Sequence, residues 1–243
     1  MAICLVSNDP ILSSIGANTT AKEDHVPEIP RDVAEIVVVR HGETTWNAAG
    51  IIQGELESDL NEVGWKQAQA IAERLSKELK PAAIYSSNLK RAKDTAEMIA
   101  HKWHISEVIV VPDLKERHVG RLQGLVWGEI QEKEPEAYRA FFSSQNDLEI
   151  PGGGESFNQL CERSVAALEE IASRHKGERV IVVTHGGVLR AIYMSVTGEA
   201  SAGKIMNGSV NVLHLSEKKW VFNSWSDVSH LNEVGFLQRG FNG

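Results

Sequence analysis

The sequence predicts an α/β fold: a three-layer α/β/α sandwich around a mainly parallel central sheet. Three observations carry this. From Glu35 onward, short β-branched runs alternate with amphipathic stretches of helical period, the pattern that builds parallel sheets covered by helices. Two of the runs, Ile36-Val37-Val38-Val39 and Val180 to Thr184, are apolar without alternation, as strands buried on both faces are. Residues 35–225 contain neither a fixed-period repeat nor a linker, so residues 35–243 read as one domain behind a tail of residues 1–34.

The elements follow in order. After the strand at Ile36, Leu60 to Leu79 reads as a helix with Ala68, Ile71, Ala72, Leu75 and Leu79 on one face; Asn61 is its N-cap and Pro81 its stop. Ala83 to Ser86 is a strand, Leu89 to His101 a helix with Ala92, Thr95, Ala96 and Ile99 in register, and Val108 to Val111 a third strand. Pro112 to Gly124 has no clear period. Pro135 to Phe142 reads as helix and Pro151-Gly152-Gly153-Gly154 as loop. A long helix, Phe157 to His175, turns Leu160, Cys161, Ser164, Val165, Leu168 and Ile171 inward. The strand at Val180 runs into His185-Gly186-Gly187, and a helix follows from Val188 to about Val196. Val210 to Leu215 and Trp220 to Trp225 alternate across Glu217-Lys218, as a hairpin does.

Composition narrows the function. Hydrophobic residues make up 42% and charged residues 24% of the 243, ordinary for a globular chain. The net charge of -8 argues against nucleic acid as a partner. No apolar run approaches a membrane span. Two cysteines, Cys4 and Cys161, are too few for a disulfide framework and read as free thiols of a reducing compartment, the cytoplasm. The tail is rich in small polar residues and prolines. Its acids Asp9, Glu23, Asp24 and Glu28 all precede Arg31, unlike an Arg-rich transit peptide, although import through the tail stays open.

The chemistry gathers where strands end. In open α/β sheets, ligands bind beyond the carboxyl ends of the strands, and here two buried strands each lead into a histidine followed by glycine: His41-Gly42 and His185-Gly186. Arg40-His41-Gly42-Glu43-Thr44 resembles the signature of the histidine phosphatase superfamily, which has the phosphoglycerate mutase-like fold. Further motifs match in order: Asn47, Gln53 and Gly54; Ser86-Ser87-Asn88-Leu89-Lys90-Arg91-Ala92; Leu114-Lys115-Glu116; the glycine-rich loop Pro151 to Ser156; and His185-Gly186-Gly187. Within the superfamily, the chain is similar to plant phosphoglycerate mutase-like proteins of the metal-independent phosphoserine phosphatase type, through Leu114 to Leu125, Ala140 to Ser156 and the tail Ser226 to Gly243.

The resemblance implies a catalytic set of His41, Glu116, His185, Arg40 and Arg91, and phosphate or substrate contacts from Arg40, Asn47, Gln53, Gly54, Arg91, Glu116, His185 and Gly186. It implies a phosphohistidine on His41, no metal and no cofactor. The residue types suit these roles. An imidazole with one unprotonated nitrogen is a good nucleophile near neutral pH. The three equatorial oxygens of a transferring phosphoryl group need preorganised donors, which Arg40, Arg91, Asn47 and a protonated His185 would supply. The leaving alkoxide needs a proton, for which Glu116 is the candidate among Asp113, Glu116, Glu129 and Glu132. Glu155 reads as a helix-dipole residue and Arg190 as a structural ion-pair partner. Arg117 and His118 are candidates for a substrate headgroup.

The partner is then a small phosphorylated metabolite, with O-phospho-L-serine and serine biosynthesis the implied assignment and a homodimer compatible with it. A cofactor-dependent phosphoglycerate mutase, a broad sugar or nucleotide phosphatase and a non-catalytic binding module are the alternatives. Glu116-Arg117-His118-Val119-Gly120 is similar to a true-mutase segment, with Val119 in place of a tyrosine. Against the mutase stand the acids Glu129, Glu132, Glu134 and Glu136, accompanied only by Lys133 and Arg139, where mutases carry a basic insertion, and Gly187 where they carry asparagine.

Overall fold

The computed structural model describes residues 28–217 and 219–235; Cys4, His25, most of the tail 1–34 and the end of the segment Ser226 to Gly243 lie outside the described residues. In chain order the elements are β1 (Ala34–Arg40), α1 (Thr45–Ala49), α2 (Glu62–Leu75), β2 (Ala83–Ser86), α3 (Lys90–Trp103), β3 (Ile109–Val110), α4 (Ile130–Lys133), α5 (Pro135–Phe141), α6 (Phe157–Arg174), β4 (Arg179–Thr184), α7 (Gly186–Thr197), β5 (Val210–Ser216) and β6 (Lys219–Asp227).

The sheet runs β3-β2-β4-β1-β5-β6. β3, β2, β4 and β1 are mutually parallel, and the hairpin β5–β6 adds two antiparallel strands at the other edge. Side chains alternate across the pleat. Ile36, Val38, Val180 and Val182 pack with Leu168, Leu189 and Ile192 of α6 and α7. Val37, Val39, Ile181 and Val183 pack with Ile71, Ala96 and Ile99 of α2 and α3. Each fully buried valine or isoleucine stabilises the fold by about 1.5–3 kcal/mol, so the two histidine-bearing strands lie in the most strongly held part of the molecule. A smaller core of Ile52, Val119, Leu122, Ile130 and Ile150 supports the segment between β3 and α6.

The parallel β1–β4 register positions the site. Arg40 lies opposite Thr184, so the next residues, His41 and His185, leave the sheet side by side at its carboxyl edge. Ser86 of β2 lies opposite Val183, which brings Ser87 to the same edge.

Several boundaries differ from the sequence reading. Asn61 caps α2 as expected, its side chain accepting from Gly64 N–H at 2.8 Å. The helix ends at Leu75 rather than Leu79, because Leu75 is the last residue turned to the sheet; Leu79 is exposed, and Pro81 follows rather than stops the helix. β3 holds only Ile109 and Val110 of the expected Val108 to Val111. Both are exposed, at 38% and 42%, because this edge strand pairs with β2 alone. α7 begins at Gly186, two residues before the expected start. The segment without period contains 3₁₀ turns at Pro112–Leu114 and Gly120–Leu122. α1 and α4 were not expected; each is too short to show an amphipathic period. Among the described residues no helix is long and apolar enough to cross a membrane.

Candidate active site

The nucleophile candidate is held from several sides. His41 N–H donates to Thr184 O at 3.0 Å, continuing the strand ladder. Gly208 N–H donates to the carbonyls of Arg40 and His41 at 3.2 and 3.1 Å, and Asn207 Nδ2 donates to His41 O at 3.2 Å. His41 Nδ1 lies 2.7 Å from Gly42 O. A carbonyl only accepts, so Nδ1 carries the ring proton and Nε2 keeps its lone pair. Gly42 is required by close approach: a Cβ there would meet Gly64 O at 2.5 Å. Burial, then the charges of Arg91 and Arg40, push the His41 pKa well below the usual histidine range, so the ring is neutral near pH 7.

Two buried guanidiniums flank it. Arg91, on α3, donates from Nη1 to Leu56 O at 2.9 Å and from Nη2 to Gly54 O at 2.6 Å, while its Nε has no partner among the described residues. Arg40 donates from Nη1 to Ile205 O. Burial lowers both to about 10, so both stay charged at neutral pH; Glu116 opposes the shift in each case. Gly186 makes room for Arg40, since a Cβ there would stand 3.2 Å from its Cζ.

The His185 ring lies 5.1 Å from that of His41, centroid to centroid. Its Nε2 is 2.8 Å from Ser87 Oγ, and its buried Nδ1 has no partner among the described residues. Leu89 N–H donates to Ser87 Oγ at 3.1 Å, and when the Ser87 hydroxyl in turn donates to Nε2 the ring proton sits on Nδ1. The expectation of a protonated His185 is corrected for the unliganded site: burial and then the charges of Arg91 and Arg40 push its pKa well below the usual range. It is a neutral donor.

Glu116 faces these groups. Its Oε1 accepts from Arg117 N–H at 2.8 Å and its Oε2 from Gly187 N–H, in the first turn of α7, at 3.2 Å. Asn47 and Thr44 form a capping box on α1, and Asn47 Oδ1 also accepts from Asn207 Nδ2 at 3.2 Å. With Oδ1 so engaged, its NH₂ is the end left for a ligand. Arg40, His41, Asn47, Gln53, Gly54, Arg91, Glu116 and Arg117 line one cavity.

The headgroup candidates separate. Arg117 is buried, with Nε and Nη2 donating to Glu155 O at 3.2 and 3.0 Å. His118 has its ring nitrogens within 3.2 Å of Gly120 N–H and the Gln123 amide, so its own loop occupies them. Glu155 is more than a dipole residue. Ser156 caps α6, while Glu155 pairs with Arg163 Nε at 2.6 Å and accepts from His118 N–H at 3.2 Å. Arg163 also donates to the carbonyls of Asp113, Lys115 and Glu116 at 2.7, 2.8 and 3.1 Å.

Residues 36–228 match the family model of the histidine phosphatase superfamily, branch 1. The chain belongs to this superfamily. It is similar to the metal-independent phosphoserine phosphatase of Arabidopsis thaliana, with 73% identity over 216 residues, 89% of this chain and 91% of that one. It is 55% identical to phosphoglycerate mutase-like protein 4 of the same plant over 214 residues, 87% and 93% of the two chains. Among solved structures, Bacillus stearothermophilus YhfR superposes with a TM-score of 0.74 at 31% identity, covering 82% of this chain and 100% of that one.

For this histidine phosphatase, the fold brings His41, Arg40, Arg91, His185 and Glu116 together from four separate parts of the chain. Sequence reading missed Ser87, Asn207 and Arg163. Ser87 lies inside the Ser86-to-Ala92 motif, but its partner His185 is 98 residues away in the chain. Asn207 and Arg163 act across 166 and 47 residues of chain, and no local pattern marks either.

Proposed function

We propose that the protein is a metal-independent phosphomonoester hydrolase that carries the phosphoryl group on His41 Nε2 and acts on O-phospho-L-serine. The observation that carries this is the His41 Nδ1 contact to Gly42 O, which leaves Nε2 unprotonated beside two buried arginines. Nε2 attacks phosphorus, the P–N bond forms and the P–O ester bond breaks, while Glu116 gives a proton to the leaving oxygen. Arg40, Arg91, Asn47 and His185 Nδ1–H stabilise the equatorial oxygens. Water then loses a proton to Glu116 and attacks phosphorus. The P–N bond breaks, and phosphate leaves with His41 and Glu116 restored.

The substrate assignment rests on Arg117, a buried cation on the wall of the cavity suited to a carboxylate, and on the Arabidopsis relative's name. Serine biosynthesis, a cytoplasmic location, one domain over 35–243 and a homodimer belong to the same proposal.

The mutase alternative turns on the segment after Gly124. Glu129, Glu132 and Glu136 are exposed, as are Lys133 and Arg139. These acids therefore act on a ligand only through a field screened over about 10 Å at 0.1 M salt, a weaker argument than their number suggests. The segment still brings no buried cation for a second phosphate.

Rapid quench after mixing with ³²P-labelled phosphoserine tests the proposal. Acid-labile, alkali-stable label is expected on the wild type and none on His41→Ala, whose turnover should fall at least about 10³-fold, with EDTA without effect. Turnover without label, or its loss in EDTA, would overturn the mechanism. Isomerisation stimulated by 2,3-bisphosphoglycerate would establish the mutase instead.

A further inference from the structure

The peptide group between Gly42 and Glu43 holds the nucleophile at one end and is itself held at the other. Its carbonyl lies 2.7 Å from His41 Nδ1. Its N–H points the opposite way across the trans peptide and donates to Gln67 Oε1 at 2.8 Å. Gln67 is on α2 and fully buried. Its Nε2 donates to Gly235 O at 3.1 Å. These two partners fix which way the amide faces, since an N–H needs the oxygen and a carbonyl needs the nitrogen. The same end of α2 is pressed against residue 43. A Cβ on Gly64, one turn before Gln67, would collide with Glu43 O. The N-cap Asn61 donates its N–H to Glu43 O at 3.0 Å and its Nδ2 to Glu43 Oε1 at 2.7 Å.

A relay of hydrogen bonds therefore runs from Gln67 through a peptide to the ring. A bond accepted from the N–H of a peptide polarises that group and makes its carbonyl the better acceptor. The His41 ring gains positive charge as Nε2 takes the phosphoryl group, so a better acceptor at Nδ1–H favours the transition state over the free enzyme. Asn207 Nδ2 reaches Gly42 O only at 3.5 Å, and as a donor it competes with the ring for that oxygen rather than replacing Gln67. We propose that Gln67 is a positioning residue for His41. Through the Gly42–Glu43 peptide it holds the ring as the Nδ1–H tautomer and strengthens that bond as charge develops. Gln67 is not among the residues lining the catalytic cavity, and its role rests on His41 being the nucleophile.

Long-range ¹H–¹⁵N NMR of the free full chain reads the His41 tautomer, and rapid quench with labelled phosphoserine reads phosphohistidine formation. Gln67→Leu keeps most of the buried volume but offers no acceptor. It is expected to populate the Nε2–H tautomer of His41 and to slow phosphohistidine formation about tenfold, with KM changed less than about twofold because Arg40 and Arg91 keep their partners. Gln67→Glu keeps an oxygen for Glu43 N–H. It is expected to show the wild-type ring spectrum and a rate within about threefold of wild type, and it carries the test alone if the leucine variant does not fold. A wild-type ring spectrum in Gln67→Leu, an altered one in Gln67→Glu, equal slowing in both, or a loss confined to KM would each overturn the proposal. The spectrum needs no turnover, so it decides on Gln67 even where the wild type takes no label, the result that would instead remove His41 as the nucleophile.

Discussion

Two histidines separated in the chain by 144 positions are given the same Nδ1–H tautomer by one hydrogen bond each and put it to different uses. The Gly42 carbonyl puts the proton of His41 on Nδ1 and frees Nε2 to attack. The Ser87 hydroxyl, itself tied to Leu89 N–H, puts the proton of His185 on Nδ1 and makes that nitrogen a donor. Ser87 is fully buried, and Ser→Ala removes one oxygen with no change of backbone. Without it the ring of His185 is free to carry its proton on either nitrogen, and an oxyanion donor is lost part of the time. A hydrogen bond to a charged group is worth about 1.5–3 kcal/mol, so Ser87→Ala is expected to slow phosphohistidine formation roughly tenfold to a hundredfold in single-turnover quench experiments, with little change in Tm. A wild-type rate would mean that Ser87 does not set the tautomer.

At the scale of elements, strands deliver the nucleophile and its partner histidine, and a helix holds the acid. Arg163 of α6 joins Glu155 to the carbonyls of Asp113, Lys115 and Glu116, so one side chain ties the loop bearing the proton donor to α6, beside the Thr184 hydroxyl that holds Leu114 O. Removing one member of a largely buried ion pair costs about 3 kcal/mol. Arg163→Met is expected to lower Tm by several degrees and kcat at least about tenfold, while the inhibition constant of inorganic phosphate stays within about twofold because Arg40, Arg91 and His185 are untouched. Parallel losses in kcat and phosphate affinity would instead indicate general collapse of the site. The same contrast explains what was legible in the sequence. β1 and β4 are continuous β-branched runs because both faces are buried, and each leads into a histidine, so their delivery of the two rings to one edge could be read locally. α1 could not be, because one turn held by the Thr44–Asn47 box has no period to detect. Nor could the Arg163 clamp or the Asn207 support, since their partners are set by how α6 and the segment before β5 lie on the finished sheet. Gly186 and Gly187 read as loop, yet they open α7. The missing side chain of Gly186 brings the helix start against Arg40, and the Gly187 amide meets Glu116.

For the whole molecule, the buried cation cluster links the site to stability. His41 and His185 are both neutral in the fold, each with a pKa pushed well below 6.5 by burial first and by neighbouring arginines next. In the unfolded chain both titrate near 6.5. Above that pH the two states bind the same number of protons at these rings, and stability is unaffected. Below it the unfolded chain takes up protons that the fold refuses, so stability falls as pH falls, by up to about 1.4 kcal/mol per pH unit for each histidine. The paired carboxylates Glu35, Glu155 and Asp227 have lowered pKa values, so their contribution is lost only as pH falls below the ordinary carboxylate range. The interval between about pH 6.5 and 4.5 therefore belongs largely to the histidines. Thermal unfolding from pH 8 to 5 is expected to show a plateau and then a decline starting near 6.5, and the His41→Asn/His185→Asn double variant should flatten that decline. The rate should behave differently from the stability over the same range, because Nε2 of His41 is protonated only at a pH far below 6.5: kcat/KM for a phosphomonoester, corrected for substrate ionisation, should keep its value through pH 6. An acid limb centred at 6.5, or a double variant as acid-sensitive as the wild type, would show that the arginines do not hold these rings neutral.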